Sequence, residues 1–178
     1  MQRVSFSVVL RMILTTVYTF AAVLMQCSVF PYLRFHGAIP EVVLCAVVCV
    51  ACFEKPGFSC ILAVCAGFLL DTAGADKMTL SPLLFLSAAC LSIILSGNVY
   101  SNKIIPAVIS GSAALTLGGV RTALMLVHAG APLSAVMVRT VLPQTAYGAV
   151  IFVLVFAVFS LHYRIFRDKD EKKRVRRA

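Results

Sequence analysis

What most limits this chain is a succession of long apolar runs almost free of charge. Met12–Phe30 has nineteen residues without one charged side chain. Similar runs recur along the rest of the sequence. A soluble domain carries roughly 25% charged residues to keep its surface wet. Here 13% of 178 residues are charged and 61% are hydrophobic, so most of the surface cannot face water. The chain reads as an all-α, polytopic membrane helix bundle with about six transmembrane helices of ~20 residues each. Residues 1–163 form a single transmembrane domain and 164–178 a basic tail, with nothing left for a separate soluble domain.

The first span is Met12–Phe30. Arg3 and Arg11 precede it as in a signal peptide, but no small-x-small cleavage pattern follows, so it reads as a retained span. The second opens at Pro40-Glu41 and runs to Phe53. The polar turn Glu54-Lys55-Pro56-Gly57 leads to a third span, Phe58 to Leu70, that stops at Asp71. These two apolar runs are short, and could dip into the bilayer as a hairpin rather than cross it. The fourth span covers Pro82–Ser96, the fifth Ile104–His128, and the sixth runs from Ala135 to Tyr163 with Pro143 in its first turns. Gly111, Gly118 and Gly119 give the fifth span small-residue faces on which neighbouring helices can pack closely.

Positive charge sets the orientation. With six spans and the N-terminus inside, twelve of the sixteen Lys and Arg fall inside and four outside, so both termini are expected in the cytoplasm. Eight of the inner ones are Arg164, Arg167, Lys169, Lys172, Lys173, Arg174, Arg176 and Arg177. Such a tail beside a span suits contact with anionic lipid. Without interleaved aromatics or a folded domain to present the charge, nucleic acid is not expected as a partner.

The seven cysteines all lie in apolar stretches. Cys45, Cys49 and Cys52 share one helical face, which suits a packed small-residue surface better than a metal site, since no His or carboxylate accompanies them. No metal and no cofactor is expected. His36, His128 and His162 sit near span ends, no hydrolase, metalloprotease or nucleotide-binding motif is present, and an enzyme is not expected.

Ionisable residues within or at the edge of spans are the functional candidates. Glu41, Asp71, Arg121 and Arg139 are all expected toward the outer leaflet, where two acids and two bases can neutralise each other. Snorkelling to the interface is the other account of the two acids. Arg121 lies about two turns inside its span and calls for a bundle partner. Asp71 is therefore expected to pair with Arg121 or Arg139.

In the order and type of these residues the chain resembles MreD, the small membrane subunit of the bacterial rod-shape machinery. Pro40-Glu41, Gly57, Gly67-Phe68-Leu69-Leu70-Asp71, Ser81-Pro82-Leu83 and Leu142-Pro143 with Tyr147 carry the likeness, over residues 10–163. An Asn soon after the last proline, common in that family, is missing here, as is a Leu-Gly pair at the start of the fourth span. The resemblance implies a non-enzymatic scaffold that binds an MreC-like single-span protein. It also implies work with MreB, a RodA-type glycosyltransferase and a class B penicillin-binding protein in lateral peptidoglycan synthesis. A six-span bundle of this size also resembles the substrate-binding S-component of an energy-coupling-factor vitamin transporter. That family docks through an Ala-x-x-x-Ala face on its first span, which Ala21 and Ala22 do not make. A small independent transporter or channel is the third reading.

Overall fold

The computed structural model describes residues 6–33, 40–74, 80–98, 104–128, 130 and 140–175, the stretch 165–175 as backbone. All regular structure among them is helical: α1 (Phe6–Ser28), α2 (Val42–Phe53), α3 (Pro56–Gly74), α4 (Ser81–Asn98), α5 (Ile104–His128) and α6 (Leu142–Val175). Pro56, Pro82, Pro106 and Pro143 each stand in the first turn of a helix, where the missing N–H costs nothing and the fixed φ suits the helix start.

The bundle is built around α2. Every side chain from Val42 to Cys52 is buried, and α1, α3, α4, α5 and α6 all pack against it. Its residues are Val, Leu, Cys and Ala with no polar face. A helix apolar all round is an enclosed one. Twelve residues reach only about 18 Å, against a hydrocarbon core of ~30 Å. Cys45, Cys49 and Cys52 all pack inside it, with Cys52 Sγ 4.0 Å from Ser110 Oγ of α5.

A helix enclosed in this way must have its end groups satisfied by neighbours. At its start the Val43 N–H donates to Gln26 Oε1 of α1 at 2.8 Å. At its end Ser59 of α3 donates to the Val50 carbonyl at 3.4 Å, and Ser96 of α4 to the Cys52 carbonyl at 3.2 Å. Hydroxyls and one amide from three other helices thus close a segment that lipid could not.

The outside is apolar and much of the inside is small. On α1, Ile13, Val17, Phe20 and Leu24 are exposed while Thr15, Thr19 and Ala22 are buried. On α6, Val150, Val153, Leu154, Val158 and Leu161 are exposed. This reverses the water-soluble pattern and suits a hydrocarbon solvent, in which small residues bring helices together. Four helices contain stretches long and apolar enough to cross a membrane, Val8–Ser28, Pro56–Ala73, Ile104–Ala123 and Leu142–Arg164. The apolar helices Val42–Phe53 and Ser81–Gly97 are shorter.

Contacts between helix ends show that the helices alternate in direction. Arg11 near the start of α1 meets Glu54 at the end of α2 and Tyr163 of α6; this is the near end. Glu41, Asp71, Ser81, Arg121 and Gln144 gather at the far end. The start of α1 and the basic continuation of α6 therefore leave the bundle at the same end. The sixth helix runs on past the expected Tyr163 to Val175, while its expected start at Ala135 lies outside the described residues, and two charged residues expected at span edges lie within helices. Arg11 lies inside α1, not before it, and Asp71 lies inside α3, which continues to Gly74. In both cases a buried partner allows the charge to sit within the helix.

Candidate functional site at the far end of the bundle

The far end is assembled from five helices. Asp71, in the last turn of α3, is 7% exposed. A carboxylate there faces the unfavourable end of its own helix dipole. It is held by two groups from elsewhere. Its Oδ2 accepts the Ser81 N–H at the start of α4, 3.3 Å away, so Asp71 caps the next helix across the intervening loop. Its Oδ1 lies 3.8 Å from Arg121 Nη2 of α5. The expected pairing of Asp71 with a span arginine is thus observed, with Arg121. Arg139, the other candidate, lies outside the described residues.

Close backbone approach makes this geometry possible. A Cβ built on Gly67 would come within 2.5 Å of the Pro82 Cα. Gly67 therefore lets α3 press on the first turn of α4 one helical turn from Asp71. Gly67, Asp71, Ser81 and Pro82, on two consecutive helices, form one joint.

Glu41 precedes α2 and is 9% exposed, so neither acid snorkels. Gln144 Nε2 of α6 donates to Glu41 Oε1 at 3.4 Å and to Thr122 Oγ1 of α5 at 3.2 Å. The Thr122 hydroxyl donates in turn to the Gly118 carbonyl at 3.2 Å. The Glu41 carboxyl rests directly on Gly118, where any Cβ would overlap Oε2. Arg121 also acts on Glu41 through space.

No protein-family model matches the chain, nor does any curated protein or solved structure.

The other glycines of α5 serve the same internal purpose. A Cβ built on Gly111 would come within 2.5 Å of the Phe152 ring, and one on Gly119 within 2.9 Å of Val141. Pro143, in the first turn of α6, is half-buried. The small-residue face of α5 is therefore taken up by α6 and Glu41.

A second polar cluster closes the near end. Arg11 Nε lies 2.7 Å from Glu54 Oε1, and Arg11 Nη2 donates to Glu54 Oε2 at 3.0 Å. The guanidinium also lies 5.3 Å from the Tyr163 ring centroid. The Glu54 side chain is only 4% exposed. Sequence reasoning placed Arg11 and Glu54 in polar edges and missed their pairing. It also passed over Gln26, Thr122 and Gln144, whose signal was a polar side chain inside an apolar run. Of the tail bases, Arg164 is exposed. Arg167, Lys169, Lys172, Lys173 and Arg174 lie on the continuous backbone of α6, while Arg176 and Arg177 lie outside the described residues. Along that helix Asp168 precedes Lys172 and Asp170 precedes Arg174 at i, i+4, the favourable order for helix-stabilising pairs.

Proposed function

We propose that this chain is a non-enzymatic scaffold subunit of the bacterial elongation complex, seated in the cytoplasmic membrane with both termini inside. In this reading it binds an MreC-like single-span protein and helps to direct lateral peptidoglycan synthesis, together with MreB, a RodA-type glycosyltransferase and a class B penicillin-binding protein. The basic continuation of α6 rests against anionic lipid.

The observation that supports it most is the joint at the far end. Five of the residues that carry the family resemblance, Glu41, Gly67, Asp71, Ser81 and Pro82, lie at that end. Their role is to hold α3 against α4 and to keep α5 in register with both. Beside that joint Phe68, Leu69, Leu80 and Leu83 are exposed, a large apolar surface on a fixed frame. A single transmembrane helix can lie along such a surface by van der Waals packing. Gly118, Gln144 and Thr122 occupy the space around the Glu41 carboxyl, which favours a docking frame over a vitamin pocket.

The test is co-purification in mild detergent with an MreC-like partner. Phe68→Ser, on the exposed face, should reduce capture while the fold remains intact. High-affinity vitamin binding without capture of such a partner would transfer the chain to the transporter reading.

A further inference from the structure

We infer that Glu41 is a proton-binding site, held as a neutral carboxylic acid, beside the ion pair of Asp71 and Arg121. The inference stands on the geometry of the far end and does not rest on the proposed function.

Among the described residues this end holds two carboxyl groups and one guanidinium. The guanidinium sits 3.8 Å from Asp71, which also accepts the Ser81 N–H. Glu41 has much less. Its Oε1 receives a long hydrogen bond from a neutral amide, Gln144. Its Oε2 is buried without a hydrogen-bond partner among the described residues and abuts Gly118. Although Glu41 stands at the start of α2, its side chain makes no hydrogen bond to the helix's N–H groups.

The polar groups at this end can be followed helix by helix. α1 brings Gln26, whose oxygen is taken by Val43. α3 and α4 bring Asp71 and Ser81, bound to each other. From α5 come Thr122 and Arg121, whose through-space effect on Glu41 is shared with Asp71. From α6 comes Gln144. Among the described residues one positive charge is set against two acids, and the acid without direct charge compensation is the one to hold a proton.

Loss of that proton would place an uncompensated charge where α2, α5 and α6 meet. Folding then takes up a proton, because an exposed glutamate has already released its own at neutral pH. Where the native state binds more protons than the unfolded state, stability falls as pH rises. Burial pushes the Glu41 carboxyl up to about 7, so between the ordinary glutamate range and that value the far end would loosen as pH rises and tighten as it falls.

Infrared spectroscopy of the full chain in lipid nanodiscs, with isotope-labelled glutamate carboxyls, tests this directly. The chain has three glutamates, Glu41, Glu54 and Glu171. Glu54 is paired with Arg11 and Glu171 lies in the basic tail. The expected result is a label-shifted protonated-carboxyl band at neutral pH, lost in Glu41→Gln and kept in Glu54→Gln. Glu41→Gln should also flatten the fall of stability with pH. A wild-type spectrum with labelled carboxylate bands only overturns the inference, since Glu41 would then be ionised and matched by a base from segment 131–139. That spectrum decides even if the variants fail to fold. A protonated band that survives Glu41→Gln overturns it as well.

Discussion

Asp71 is the far-end residue with the most to lose. Asp71→Ala removes the ion pair at 3.8 Å and the hydrogen bond to Ser81 at 3.3 Å. At that separation and an effective dielectric of about 20, the bare attraction is roughly 4 kcal/mol. Desolvation offsets part of it, while removing one partner of a buried pair generally costs ~3–5 kcal/mol. The contact is long and the Arg121 side chain keeps 11% exposure, so the pair falls below that range, at about 2 kcal/mol. The capping bond is long too and adds about 1 kcal/mol. Asp71→Ala should therefore cost about 3 kcal/mol and Arg121→Met about 2 kcal/mol. Asp71→Ala with Arg121→Met should cost about 2 kcal/mol, less than the first change alone, giving a coupling of about 3 kcal/mol. Asp71→Asn keeps an oxygen for Ser81 and should fall between wild type and Asp71→Ala. The chain has no Trp but has seven cysteines, and Cys45, Cys49 and Cys52 are buried in the core. Pulse labelling of these thiols across an SDS titration in bicelles follows the opening of the bundle around α2. Additive effects, with a coupling under about 0.5 kcal/mol, would show that the pair contributes no net stability.

The glycines offer an internal contrast. Gly67→Ala meets the backbone of Pro82, which cannot turn aside, and should cost about 1–3 kcal/mol in the same titration. Gly57→Ala has nothing within 4 Å of its Cβ and should be neutral or stabilising by up to about 1 kcal/mol; equal losses at both would show that space around Gly67 is not the constraint. Glu54→Gln leaves Arg11 facing a neutral amide under Tyr163 and should lower thermal stability by about 2 kcal/mol equivalent, with Arg11→Met plus Glu54→Gln recovering part of it. A reporter active only outside the cell should be silent after Ala178 and active when inserted after Gly74, and the reverse pattern would invert the orientation.

Much of the architecture was legible in the sequence because membrane hydrocarbon sets a coarse requirement. A chain so poor in charge can bury its backbone polar groups there only as helices or a closed barrel. Charged turns, prolines and glycines mark where those helices begin and end, and the fifth matches its expected range, Ile104–His128. Even the depth of Asp71 and Arg121 could be counted from the span ends, which is why their pairing could be anticipated. What the sequence could not say is which apolar helix faces lipid and which faces protein. Hydrocarbon and core are equally apolar, so α2, with no polar face, carries no periodic sign of being enclosed on all sides. Its enclosure rests on Gln26, Ser59 and Ser96, three unremarkable polar residues on three other helices. The Arg11–Glu54 pair spans 43 positions and arises only because α1 and α2 run antiparallel. The faces of Gly111, Gly118 and Gly119 could have received a partner as well as α6. The tertiary structure assigns them inward, because the packed neighbours Phe152, Glu41 and Val141 already fill the space that a missing side chain leaves.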